Sequence, residues 1–229
     1  DPFLPIIAPL IAIAFPIVFN GARSTEAEIG LAFCIIGAAR FLQLSAESEA
    51  APRRHLLIAY LFMAGGFLTK GPFALIMPLL PYAVIYRSQL AATWRWHLLG
   101  LLLALTPTLA WALACYLYDP TVFAVFYAEM IAKRVGGSTH HGEPFYFYVG
   151  VIAANVQFLL PLAALAVWGA WRAGRPHRYL IAFAGLNLLW LSLMHSKQDH
   201  YVVPLFPSLA ILMGWWMAGT VHHRYLRIF

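Results

Sequence analysis

Charge is what this chain has least of. Of its 229 residues only 10% are Asp, Glu, Lys or Arg, while 62% are hydrophobic and the mean hydropathy is +0.74. A soluble domain averages about 25% charged and roughly 45–50% apolar residues, so a water-soluble fold is excluded. Cysteine is scarce too: Cys34 and Cys115 both lie inside apolar runs, where they read as small buried hydrophobes rather than a disulfide or a metal site. The weak apolar–polar alternation of a membrane barrel is missing, and so is any internal repeat at a period of about 20–50 residues. No stripe of basic and stacking aromatic residues offers itself to nucleic acid, so the net charge of +6 has to be read through membrane topology. No basic leader region or small-residue cleavage site comes before PFLPIIAPLIAIAF, and the chain opens on Asp1 instead of Met. An internal part of a longer protein, preceded by further helices, is the expectation.

What the chain does have is apolar runs: 3–20, 28–44, 55–69, 71–86, 97–117, 145–170, 178–194 and 201–220. They predict an all-α fold, a polytopic transmembrane helix bundle of about eight spans, as a single transmembrane domain over 1–229. If the spans alternate, one side collects Arg40, Arg53, Arg54, Arg87, Arg95, Arg172, Arg175, Arg178, Arg224 and Arg227. The other side holds Arg23, Lys70, Lys133, Arg134 and Lys197. The excess of basic residues places the first side in the cytoplasm. Acidic residues lean the other way: Glu26, Glu28, Asp119, Glu129, Glu143 and Asp199 fall outside, Glu47 and Glu49 inside. The inner loops look like plain arginine anchors, so chemistry is expected on the outer face.

One lysine interrupts the apolar run from His55 to Tyr86, in FLTKGPFAL. A lysine at the bilayer centre costs roughly 3 kcal/mol, so Lys70 either escapes to a surface or has a partner. The orientation puts TKGP at an outer turn. Gly71 relieves the backbone there, and Pro72 suits the first turn of a returning helix. Lys70 is then either a snorkelling helix-end residue or a fixed cation for a lipid phosphate.

Three other outer segments carry polar residues. HSKQDHYVVPLFPSLAIL packs Lys197, Gln198, Asp199, His200 and Tyr201 between two spans. An ammonium, an amide and a phenol are donors suited to phosphate oxygens, although a solvated polar loop would read the same way. Pro204 and Pro207 are expected to bend the following helix near its start. In the long connection from Tyr118 to Pro144, residues 121–135 suit a short interfacial helix, with Glu129, Lys133 and Arg134 beside its apolar face. His140, His141 and Glu143 follow, a weak metal set without a third spaced partner, so a divalent metal stays open as the cofactor. In FNGARSTEAEIGLAF, Glu28 either closes a capping box with Ser24 or Thr25, or presents a carboxylate to a cavity.

Together these segments resemble a family. TKGPFALIMPLLPYAVIYR is similar to the lysine–glycine–proline turn of bacterial membrane glycosyltransferases of the C-type fold, the aminoarabinose lipid A transferases and, more distantly, the protein O-mannosyltransferases. HSKQDHYVVPLFPSLAIL resembles their late outer loop. FYAEMIAKRV followed by HGEPFYFYVGV resembles their amphipathic stretch and aromatic re-entry. The order and spacing of all three agree along nearly the whole chain.

The resemblance implies an inverting transfer of a sugar from a polyprenyl-phosphate donor to a lipid, glycan or protein acceptor. It implies a bacterial inner membrane protein of the cell envelope, surrounded by membrane lipids, with its active face periplasmic or extracellular. Lys70, Lys197 and Gln198 with Tyr201, and Lys133 or Arg134, would hold the donor phosphate. Glu28 stands where the family often has an aspartate and would take the acceptor's proton. The family's main acidic residue, from its first outer loop, has no counterpart here, and Met130 replaces a histidine common in relatives. The chemistry agrees: preplaced cations stabilise a departing phosphate, and a carboxylate is a competent general base.

Two other functions compete. A transporter or flippase for a lipid-linked substrate would need polar groups at mid-span, for which Asn155, Gln157 and Asn187 are the candidates. A non-catalytic scaffold would leave Lys70, Arg134, Lys197 and Tyr201 scattered; convergence on one cavity favours the transferase.

Overall fold

The computed structural model describes residues 3–24, 27–48, 51–128, 143–194 and 197–225. These residues are helical with no strand among them, in the order α1 (Leu4–Ala14), α2 (Pro16–Arg23), α3 (Ala27–Glu47), α4 (Pro52–Lys70), α5 (Phe73–Ile85), α6 (Arg87–Ala92), α7 (Trp94–Tyr118), α8 (Pro120–Tyr127), α9 (Phe147–Val156), α10 (Leu160–Ala173), α11 (Arg175–Leu193) and α12 (Phe206–Tyr225). Short 3₁₀ turns at Gln157–Leu159 and Asp199–Leu205 lead into α10 and α12.

Among the described residues four segments are long and apolar enough to cross a membrane: Ala27–Glu47, Trp94–Tyr118, Phe147–Ala173 and Asp199–Gly219. The α1–α2 pair, bent by 81°, would make a fifth. Eight apolar runs were legible in the sequence, and the remaining three appear as α4, α5 and α11. Arg53, Arg54 and Lys70 lower the hydropathy of α4, Arg175 and Arg178 that of α11, and α5 has only 13 residues. Of the stretch 121–135, where an interfacial helix was expected, α8 covers the described start as a short helix, and the rest, with Lys133 and Arg134, lies outside the described residues.

Prolines set the breaks. Phe15, before Pro16, is extended at φ −74°, ψ 121°, because a following proline disfavours the helical region. Its fully buried ring packs on Phe206 at 5.0 Å. The bend frees the first N–H groups of α2, and Asn155 Oδ1 accepts one of them, from Ile17, at 2.8 Å. In α5, Pro81 has no N–H for the carbonyl of Met77, four residues earlier. Asn187 Nδ2 on α11 donates to that carbonyl at 2.8 Å, and to its own Phe183 oxygen at 2.8 Å. Two of the three mid-span amides therefore clamp the backbone where proline left it open. The third, Gln157, is exposed at φ 43°, in the turn that breaks Phe147–Ala173.

Inside a bilayer, packing relies on close fit rather than on a solvent-driven effect. Gly214 lies so near α1 that a Cβ there would be 3.1 Å from the Ala8 nitrogen. Tyr60 covers Gly100 of α7 and shares a hydrogen bond with His97 at 2.9 Å, fixing α4 on α7.

The two ends of the bundle differ in the side chains they gather. At the arginine-rich end Gln43 Nε2 donates to Pro176 O at 3.5 Å, Tyr86 donates to Glu47, and Arg53 lies 5.0 Å over Trp96. At the opposite end Lys70, Glu28 and Tyr201 meet. The TKGP turn forms as its residues dictate: Gly71 closes α4 at φ 73°, donating to Phe67 O at 2.8 Å, and Pro72 opens α5. A side chain at that φ is strained, so Gly71→Ala is expected to cost about 1–2 kcal/mol, read as a lower unfolding temperature in detergent. An unchanged temperature would show that the turn does not depend on glycine.

Candidate active site

The end of α4 and the start of α3 bring Lys70 and Glu28 together, 42 residues apart in sequence, as a hydrogen-bonded ion pair. Their side chains are 20% and 11% exposed, so the pair is largely shielded from water. Glu28 thus reaches across to another helix, as the cavity-facing alternative expects. Ser24, the described partner for such a box, donates instead to Asn20 O at 3.0 Å. Glu26 and Thr25 lie outside the described residues.

The segment 197–201 closes over this pair. His200 Nε2 is 3.3 Å from the same Glu28 oxygen, and His200 Nδ1 is 3.4 Å from Asp199 Oδ1. The Lys70 ammonium lies 5.0 Å from the centre of the Tyr201 ring, within cation–π range. Phe73, from the first turn of α5, packs on Tyr201 at 5.3 Å and on Trp190 of α11 at 5.3 Å, so the aromatic wall is fixed from two sides. Pro204 lies in the 3₁₀ turn, and the α-helix begins only at Phe206, which lets residues 199–205 reach across to α3 and α4.

On the other side of His200 lies a cleft of about 520 Å³, lined by Glu143, Phe147, Val151, Lys197, Gln198, Asp199 and His200. Lys197 is only 6% exposed. A buried ammonium needs acceptors, and it donates to the carbonyls of Glu143 at 3.1 Å and Met194 at 2.7 Å. The Gln198 N–H reaches Tyr148 Oη at 3.3 Å, tying the loop to the start of α9. The histidine is thus the hinge between the Lys70–Glu28–Tyr201 group and the Lys197–Gln198 cleft. Neither His200 nor Tyr148 was singled out from sequence; their nearness to Lys197 and to the aromatic re-entry was the available signal.

Lys133 and Arg134 lie outside the described residues, as do His140 and His141. Among the described residues no group of three His, Cys, Asp or Glu side chains is placed to hold a metal ion. Asp119, just after the C-terminal end of α7, caps α8 by accepting from Thr121 Oγ1 and Thr121 N at 2.7 and 2.8 Å. Those bonds hold its carboxyl below the usual carboxylate range.

Chemically, the arrangement offers two ammonium groups, a carboxylate, an imidazole and a phenol at one end of an apolar bundle. That set suits an anionic group carried on a lipid.

No protein-family model matches the chain. It is 33% identical over 218 residues to an undecaprenyl phosphate-α-4-amino-4-deoxy-L-arabinose arabinosyl transferase of Sodalis glossinidius, covering 91% of this chain and 39% of that protein. The transferase of the same description from Aeromonas hydrophila is 34% identical over 156 residues, 65% of this chain and 28% of its own length. The fold matches the crystal structure of ArnT from Cupriavidus metallidurans bound to undecaprenyl phosphate, with a TM-score of 0.76 at 23% identity, over 93% of this chain and 40% of that one. The chain thus spans about two fifths of the length of these proteins. Over nearly all of its own length it is similar to part of the undecaprenyl phosphate-aminoarabinose arabinosyl transferases, the resemblance its outer motifs had carried.

Proposed function

We propose that this chain is part of a glycosyltransferase that moves a sugar, of the aminoarabinose kind, from a polyprenyl-phosphate donor to a lipid acceptor such as lipid A. The observation that carries the reading is the meeting of Lys70, Glu28, His200 and Tyr201 beside the Lys197 cleft. The transferase names of the relatives support the same chemistry.

In this reading the donor phosphate exchanges with Glu28 for the Lys70 ammonium. The exchange has two consequences. Lys70 then faces the oxygens that gather charge as the glycosidic bond breaks, and Lys197 and Tyr201 border the same region. Glu28, released from its partner, is left beside His200 as the base that takes the acceptor's proton. Lys133 or Arg134 would complete the phosphate site from the long loop. The eight apolar segments would make eight crossings, with α8 along the outer surface and the site facing away from the cytoplasm of the bacterial inner membrane.

The test is transfer of radiolabelled sugar from the polyprenyl-phosphate donor by the full-length protein in membranes. The reading expects label in a lipid acceptor, and a loss of about tenfold or more in Lys197→Ala. No transfer by the folded wild type, or full transfer by that variant, would count against it.

A further inference from the structure

At the arginine-rich end of the bundle, away from the site above, α1, α3, α11 and α12 enclose a second cavity of about 570 Å³. Its wall is apolar, with Ala8, Ile36, Leu180 and Ile211 among the lining side chains, and Arg40, Gln43 and His177 supply its polar part. A volume in this range suits a lipid chain or a drug-sized molecule.

Three observations bear on the occupant. First, Arg40, seven residues before Glu47 at the end of α3, lines the cavity with an exposed side chain. Gln43 Oε1 accepts one of its N–H groups at 3.0 Å, and among the described residues no carboxylate pairs with it. Second, the His177 ring packs against Trp215 at 4.2 Å, and its buried Nδ1 has no hydrogen-bond partner among the described residues. Third, the charge around this end is cationic. Arg175 and Arg178 begin α11 beside His177, with Arg178 Nε held by Trp171 O at 2.9 Å; against them stands the Glu47 carboxylate, which accepts from Tyr86 and lies within electrostatic reach of His177. An apolar cavity between membrane helices with a basic side chain at its arginine-rich end is an arrangement that binds acidic lipid headgroups.

We infer that this cavity binds one anionic phospholipid of the arginine-side leaflet, an acyl chain between α1, α3, α11 and α12 and the phosphodiester at Arg40 and His177. The site is separate from the donor site, and a lipid there would brace α1 against α11 across the gap. Its occupant is distinguished from the proposed donor by the end of the bundle it enters and by its diacyl tail.

The experiment is native mass spectrometry of the full-length protein, released from vesicles of phosphatidylcholine with a minor share of phosphatidylglycerol. The expected result is one retained phosphatidylglycerol per protein. Arg40→Gln should lower that adduct by about tenfold, because a charge-assisted bond is lost, while leaving the fold intact by unfolding temperature. Ala39→Phe, which fills the cavity from α3, should remove the adduct as well. Equal retention of both lipids, no retained lipid, or an adduct unchanged in Arg40→Gln would overturn the inference.

Discussion

Replacing Lys70 by alanine in the full-length protein is expected to lower sugar transfer by about 10²–10³-fold, the usual cost of removing one preorganised donor from a developing anion. The size follows from where the ammonium is. It ends α4 at a turn whose backbone is fixed by Gly71 and Pro72, against a Tyr201 ring that is itself wedged by Phe73. Nothing has to be ordered when the phosphate arrives except the exchange with Glu28. Lys70→Arg should recover part of the rate, since a guanidinium still meets both the phosphate and Glu28. Glu28→Gln should also lose transfer, by roughly 10²–10⁴-fold, as the loss of a general base does. Because the two residues are partners, the double variant should be little worse than the poorer single one. Rates multiplying independently would mean that Lys70 and Glu28 act apart. Lys70→Ala turning over like wild type would reduce Lys70 to a snorkelling helix end.

The second large effect concerns stability. Asn187→Leu removes the donor that answers the Met77 carbonyl and so leaves that oxygen buried and unpaired. The expected loss is about 2 kcal/mol, read as a lower unfolding temperature, with the departure of the unpartnered Asn187 Oδ1 offsetting part of it. Adding Pro81→Ala restores an N–H four residues after Met77 and should recover most of the loss. If it recovers nothing, Asn187 does something other than clamp α5. The result also bears on the transporter alternative. Asn155 is spent on Ile17 and Asn187 on Met77, so two of the three amides that alternative could call on are engaged with backbone.

Much of this was legible in the sequence, for identifiable reasons. Composition and apolar runs point to an all-helical membrane bundle because only helices and closed barrels satisfy the backbone in lipid, and the alternation of a barrel is missing. The TKGP turn is read directly, since glycine and proline each permit few conformations. The polar loop at 197–201 was recognisable as a group of phosphate donors, and the structure brings Tyr201 of that group to Lys70. The Lys70–Glu28 pair was not legible: local spacing carries no information about partners 42 residues apart, and capping was an equally good local explanation of Glu28. His200 was hidden among stronger candidates in its own loop. The functions of Asn155 and Asn187 were invisible because each answers a backbone group that a proline on another helix left open.

The most direct test of the central claim is binding of undecaprenyl phosphate, compared with neutral undecaprenol, to the full-length protein and to Lys70→Ala in detergent. If Lys70 is the main phosphate ligand, wild type prefers the phosphate by about tenfold or more, and the variant loses most of that preference. If wild type does not distinguish them, or if the variant keeps the preference, the ammonium in FLTKGPFAL is not what holds the donor.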